Sequence, residues 1–190
     1  MPFTPWSIIG SIWTMLLVVW VVAAVTTKRT VRRESGPARL AQLGLNVTAW
    51  MLMTNRVRAH SVLDARFVPD TPQVAWIGVA LALAGAAFAL WARFTIGRNW
   101  SGTITLKSEH ELITRGPYSI VRHPIYTGLL LTLLGTALVV GEWRGLAAVA
   151  LAFIGWKWKS LIEERVMVGQ FGPAYETYRQ RVKALIPFVL

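Results

Sequence analysis

Between Trp6 and Thr27 the chain runs for 22 residues without one charged side chain. A helix needs ~20 such residues to cross the hydrocarbon core of a bilayer. In lipid every backbone N–H and C=O must be satisfied within the segment, so a run like this folds as a helix. Val74 to Ile96 is a second such run, with only Arg93 near its end, placed to snorkel toward water. Ile125–Val140 and Trp143–Trp158 are shorter and are parted only by Gly141-Glu142, which predicts a tight helical hairpin. The second of these helices is expected to continue into water as Lys159 to Gln170. Leu40 to Thr54 is short and contains Asn46, so it reads either as a tilted span or as a re-entrant segment. The expected fold class is all-α: a polytopic integral membrane protein of about five transmembrane helices, with a C-terminal helical hairpin and a cytoplasmic amphipathic helix.

Charge placement tests that count. Sixteen of the 20 Lys and Arg fall in segments 28–39, 93–124 and 157–190. Arg56, Arg58, Arg66 and Arg144 are the remainder. Basic residues favour the cytoplasmic side. Only an odd number of spans, with the N-terminus outside, places all three rich segments on one side. Five spans satisfy this and put the C-terminus in the cytoplasm. The expected organisation is residues 1–96 as three N-terminal spans and residues 97–190 as a second half with a long loop, the terminal hairpin and a C-terminal helix.

Composition closes off other classes. The net charge of +11 is compatible with nucleic-acid binding. The basic residues, however, sit in gaps between apolar runs and form no stripe interleaved with aromatics, so nucleic acid is not an expected partner. Trp6, Trp76, Trp91, Trp143, Trp156 and Trp158 lie near the ends of apolar runs, where an interfacial belt places them. There is no Cys, hence no disulfide and no thiolate ligand. His60 and His110 show no ligand spacing to His123, so no metal is expected. Residues 1–27 lack a basic leading region and are too long for a signal-peptide core. No Gly-rich loop follows a strand and no β-α alternation exists, which excludes a soluble Rossmann-type site.

The polar residues gather in a few places. Arg122-His123-Pro124-Ile125-Tyr126-Thr127-Gly128 stands at the mouth of an apolar helix. Pro124 fits a first helical turn, where its missing N–H costs nothing. Arg122, His123 and Tyr126 then crowd a helix N-terminus, whose free N–H groups and dipole attract anions. Glu163-Glu164 follow about forty residues later, at the end of the last span, where a carboxylate is costly unless paired. Phe171-Gly172-Pro173-Ala174-Tyr175 and Tyr178 then open a second amphipathic helix, and Pro187 closes the series.

Taken in order with Gly116-Pro117-Tyr118, these motifs resemble the isoprenylcysteine carboxyl methyltransferase family and the related phospholipid methyltransferases. The resemblance covers roughly residues 97–187. Gly97-Arg98-Asn99-Trp100-Ser101 also resembles bacterial members. It implies an integral membrane methyltransferase that uses S-adenosyl-L-methionine on a lipophilic acceptor. The donor-binding residues it implies are Tyr118, Arg122, His123, Tyr126, Gly128, Glu163, Tyr175 and Tyr178. Glu164 and Lys159 are expected on the acceptor side, as catalytic residues. The family carries an Arg before its Glu pair; here Lys159 is the nearest cation, a point charge and not a bidentate fork.

Each residue also has a plainer reading. Arg122 is either a clamp for the donor's carboxylate or an anchor for lipid phosphate. His123 holds the adenosine edge or shares the carboxylate. Gly128 either exposes backbone to a ligand or packs helices. Glu163 either binds the donor's ammonium or pairs with Lys159 one turn away, while Glu164 faces water. Tyr175 and Tyr178 form a lid or rest on lipid. Trp100 stacks on adenine or marks the interface. The small residues Gly78, Ala82, Gly85, Ala86 and Ala89 read as close helix packing. An NADPH-dependent sterol or isoprenoid reductase is the alternative enzyme, and a non-enzymatic scaffold the third reading. The acceptor is left open between a prenylcysteine-like carboxylate and a phospholipid amine.

Overall fold

The computed structural model describes residues 3–24, 30–32, 36–54, 62–97, 100, 106–107 and 111–189. In chain order the elements are α1 (Pro5–Ala24), β1 (Thr30–Arg32), α2 (Gly36–Met53), α3 (Pro72–Ile96), β2 (Leu106–Lys107), α4 (Pro124–Val140), α5 (Trp143–Phe171) and α6 (Pro173–Arg181). Short 3-10 turns stand at Val62–Asp64 and Gly116–Ser119. α1, α3 and α5 are long and apolar enough to span a bilayer; Leu40–Met53 and α4 are shorter apolar helices. The region expected to be a loop after α3 contributes β2, which pairs antiparallel with β1. Arg98, Asn99, Ser101, His60 and His110 lie outside the described residues, as does the expected end of the first run, Val25 to Thr27.

Local signals set the helix ends. Thr71 caps α3 by accepting from the Val74 N–H, with Pro72 following. Pro124 opens α4 as expected. Gly141 ends α4 in the left-handed region, with φ 72°, and its N–H donates to Ala137 O at 2.8 Å. α5 restarts two residues later, giving the tight hairpin. It then runs without a break to Phe171, so the apolar span and its polar extension are one helix. Gly172, with φ 52°, ends α5 and opens α6 at Pro173.

The centre of the fold is the α3–α4 pair. Gly78 faces Gly135, and Gly85 faces Gly128. A Cβ on Gly85 would lie 2.6 Å from Gly128 O, and one on Gly128 would lie 2.7 Å from Gly85 O. Both glycine pairs are seven residues apart, two helical turns, so they recur on one face of each helix. Small residues let backbones approach where no hydrophobic drive exists between helices in lipid. Ile9, Ile12 and Leu16 of α1 pack on this pair through Val79, Ala82 and Ala86. Ala49 and Met53 of α2 pack with Ala148 and Ala152 of α5 and Ala137 of α4.

Two buried arginines hold the ends together. Arg93 does not snorkel. It is 2% exposed and donates to Gly97 O and to Ala23 O, both at 2.8 Å, so it collects the carbonyl ends of α3 and α1. Trp100 lies under its guanidinium at 4.6 Å and meets Trp20 edge-on. At the opposite end Arg144 is also buried, pairing with Glu142 and donating to Leu52 O at 2.6 Å. Its charge is spent on the α2 terminus and does not face water.

Candidate functional site

The polar residues singled out above converge where α4 begins and the apolar part of α5 ends. His123 stands just before α4; Tyr126 is one turn in. Glu163 and Glu164 face them from α5. Trp156, Lys159 and Glu163 are spaced i, i+3 and i+7, which puts them on one face of α5.

Arg122 and Glu164 form the inner half of the cluster. Nε and Nη2 of Arg122 donate to Glu164 Oε1 at 3.0 and 2.6 Å. Nη1 donates to Arg179 O at 3.1 Å and to Val182 O. Both side chains are only 9% exposed. Arg122 therefore neither anchors lipid phosphate nor points a free fork at a ligand. Its donors are consumed inside the protein. Glu164, expected at the acceptor side or in water, is the buried counter-charge of Arg122, so neither charge stands unpaired in the interior.

Glu163 forms the outer half. Its Oε1 accepts from the Tyr126 hydroxyl at 2.6 Å, and its Oε2 lies 3.3 Å from His123 Nδ1. The other ring nitrogen of His123 lies 3.2 Å from Glu164 Oε1. His123 thus bridges the two carboxylates. Burial alone would push its ring below the ordinary value. The hydrogen bonds and charges of Glu163 and Glu164 outweigh this, so its pKa is raised. Glu163 is 20% exposed along its side chain, against 9% for Glu164; its partners are the Tyr126 hydroxyl and His123, with the charge of Lys159 one turn away on the same helix.

An aromatic column flanks these carboxylates. The His123 and Tyr126 rings are parallel within 10° at 5.6 Å. Tyr126 and Trp156 are parallel within 9° at 6.0 Å. Lys159 Nζ stands 5.9 Å from the Tyr126 ring centre. Trp156, assigned from its position in sequence to the interfacial belt, belongs to this column. The i, i+3, i+7 spacing with Lys159 and Glu163 was the available signal.

Other expected residues are placed differently. Gly128 is buried against Ala89 and Gly85 of α3, so it serves helix packing and not ligand approach. Tyr118, Tyr175 and Tyr178 are buried as well. Tyr178 donates to Tyr118 O at 2.5 Å, and Tyr175 meets Tyr178 edge-on. Burial raises all three phenols, which stay neutral. They fasten α6 to the Gly116–Ser119 turn. The aromatic face of α6 is therefore turned into the protein and does not rest on lipid.

A strap that the sequence did not announce completes the site. Arg122 N–H donates to Lys183 O at 2.8 Å and His123 N–H to Ala184 O at 3.0 Å. Thr127 Oγ1 donates to Leu185 O at 2.6 Å. Residues 182–185 thus satisfy the Arg122 and His123 N–H groups just ahead of α4, together with the Arg122 guanidinium and the Thr127 hydroxyl. No group of three or more His, Asp or Glu able to hold a metal occurs among the described residues. A groove lined by Asn46, Val47, Trp50 and Met51 lies on α2 and carries no titratable group.

A methyl donor bearing ammonium and sulfonium charge needs a carboxylate at a partly open edge. Glu163, 20% exposed along its side chain, supplies one, and the aromatic column beside it suits a cationic or heteroaromatic ligand. The residues present therefore fit such a donor.

Comparison with known proteins finds methyltransferases. The family model described as phospholipid methyltransferase matches residues 74–174. The chain is 33% identical over 136 residues to protein-S-isoprenylcysteine O-methyltransferase B of Arabidopsis thaliana, covering 67% of this chain and 68% of that protein. It is 29% identical over 135 residues to the Homo sapiens protein-S-isoprenylcysteine O-methyltransferase, covering 47% of that protein. Among solved structures, the eukaryotic intramembrane Ras methyltransferase, an isoprenylcysteine carboxyl methyltransferase, superposes with a TM-score of 0.57 at 23% identity. That match covers 84% of this chain and 55% of the other, and it supports the fold alone.

Proposed function

The chain belongs to the isoprenylcysteine carboxyl methyltransferase family of membrane methyltransferases, and from that premise we propose that the His123–Tyr126–Glu163 cluster binds S-adenosyl-L-methionine. The donor supplies an electrophilic methyl group on a sulfonium. The observation that carries the reading is Glu163: a carboxylate held by a phenol and a titratable ring, more exposed than its neighbour.

The chain's own residues then divide the work. Glu163 balances the positive charge of the donor. Tyr126 fixes the rotamer of Glu163 and offers its ring face. His123 ties Glu163 to the Arg122–Glu164 pair, which positions the cluster from behind. Trp156 extends the stacking surface. None of these side chains needs to act as a nucleophile, because in-line transfer requires an acceptor lone pair and alignment.

The acceptor we propose is a lipophile with a carboxylate, of the prenylcysteine type, approached from the bilayer. Lys159 favours it over a phospholipid amine: its ammonium stands beside the aromatic column and attracts a carboxylate but repels a protonated amine. The proposed orientation has the N-terminus outside and this site at the cytoplasmic face, which follows from the distribution of Lys and Arg.

Calorimetry on detergent-purified protein tests the donor reading. S-adenosylmethionine and S-adenosylhomocysteine are expected to bind, with NADPH as the silent control. Glu163→Gln should weaken S-adenosylmethionine by about tenfold or more, as for a lost charged hydrogen bond of roughly 1.5–3 kcal/mol. Unchanged affinity in that variant removes Glu163 from the site, and binding of NADPH alone turns the assignment to a reductase.

A further inference from the structure

Beyond the strap the chain makes a turn with an unusual residue at its tip. Val189 N–H donates to Ile186 O at 3.2 Å, closing Ile186–Val189 on itself. Pro187 takes the second place and Phe188 the third, with φ 65°. A turn that needs positive φ at its third place ordinarily uses Gly or Asn. Phe188 is the sole non-Gly residue with positive φ among the described residues. A bulky side chain is strained there, and no packing in the protein compensates it: the residue is 94% exposed. Val189 and Ile186 are 72% and 43% exposed beside it.

The surroundings say what the ring meets. The turn follows directly on the strap that covers Arg122 and His123, at the end of the fold where α5 leaves its apolar stretch. The aromatic face of α6 is committed inward, so α6 offers lipid only its polar side. Arg179, Arg181 and Lys183 are exposed on that approach, and Glu176 is the one acidic residue of α6. Apolar residues on a fixed turn, flanked by cations, are the composition that inserts at a bilayer boundary and holds anionic headgroups.

We propose that the Ile186–Val189 turn is an interfacial wedge: Phe188 enters the headgroup–acyl boundary of the leaflet beside the site, while Arg179, Arg181 and Lys183 hold anionic lipid headgroups. Because residues 182–185 carry the carbonyls that bind Arg122, His123 and Thr127, lipid contact at the turn fastens the platform on which the site stands. The wedge requires only that the chain lies in a membrane. It does not depend on the identity of the methyl donor.

The chain has no Cys, so one introduced thiol takes a single probe. The full chain carrying Val189→Cys, labelled with a fluorophore, is placed in phosphatidylcholine vesicles containing phosphatidylglycerol and lipid-borne quenchers, with no donor present. Gln180→Cys, exposed on α6 between Arg179 and Arg181, is the shallower, headgroup-level control against quenchers carried on the acyl chains. Strong quenching at 189 and little at 180 is expected. Adding Phe188→Ser to Val189→Cys should bring quenching down to the level seen at 180, and leaving out phosphatidylglycerol should lower it. Phe188→Gly relieves the backbone and should raise the unfolding temperature in detergent while losing the quenching. Equal quenching at 189 and 180, or quenching at 189 that survives both Phe188 substitutions, overturns the wedge. Quenching indifferent to phosphatidylglycerol overturns the headgroup role of the three cations. A failure of S-adenosylmethionine to bind leaves all these readings unchanged.

Discussion

Arg122 and Glu164 are 42 positions apart in sequence, yet two nitrogens of one guanidinium meet a single carboxylate oxygen at 3.0 and 2.6 Å. The contact joins the turn before α4 to the extension of α5. The same guanidinium reaches the carbonyls of Arg179 and Val182, so one side chain gathers three segments. Its position behind His123 makes it a support for the site and not a surface of it.

Arg122→Ala should therefore act on stability first. Removing one partner of a buried pair leaves an uncompensated charge and costs about 3–5 kcal/mol. The unfolding temperature in detergent checks this. Arg122→Lys keeps the charge but loses the carbonyl contacts, and should fall between wild type and Arg122→Ala.

Tyr126→Phe tests binding and folding together. The ring column survives, while the 2.6 Å bond to Glu163 is lost. A hydrogen bond to a charged group contributes about 1.5–3 kcal/mol. That bond exists without ligand, so its loss lowers the unfolding temperature; S-adenosylmethionine should also bind more weakly to the folded fraction by calorimetry, because Glu163 loses the group that fixes its rotamer. Full affinity in the folded fraction would make Tyr126 a structural residue.

The pH dependence follows from His123. Its ring titrates higher in the folded protein than in the unfolded chain, where the value is ~6.5. The stabilisation is therefore complete below about pH 6.5 and is lost as pH rises through the raised folded value. Unfolding temperatures of wild type and His123→Asn should differ most in mild acid and converge toward alkaline pH.

Gly128→Ala distinguishes packing from binding. The new Cβ would lie 2.6 Å from Ala89 N and 2.7 Å from Gly85 O, backbone atoms that do not yield readily. Overpacking of this kind costs about 1–3 kcal/mol. The unfolding temperature should fall while donor affinity of the folded fraction is kept; a selective loss of affinity would return Gly128 to the binding site.

Tyr178→Phe should loosen the strap end of the site. The lost hydroxyl leaves Tyr118 O without its 2.5 Å partner, at about 1–3 kcal/mol for an unsatisfied buried group. Hydrogen exchange should speed up in residues 116–119 and 173–185 and remain slow in α3.

The sequence determined the helices, because their signals are local. An uncharged run long enough to cross lipid has one way to satisfy its backbone, and Pro72, Pro124, Gly141 and Gly172 mark its boundaries whatever the rest of the chain does. It also marked Arg122, His123, Tyr126, Glu163 and Glu164 as groups that must find partners, since polar side chains at a helix end near lipid are costly alone. Only the tertiary structure decided which partner each one takes. From sequence, Glu163 and Glu164 are adjacent and equivalent; in the fold, successive residues of α5 point about 100° apart, so one meets Arg122 in the interior and the other meets Tyr126 at the edge. The same holds for Gly128, whose value depends on Gly85 lying opposite it, and for residues 182–185, whose carbonyls matter only because the chain returns to the start of α4. Contacts between distant segments are fixed by how helices pack, and no periodicity within a segment records them.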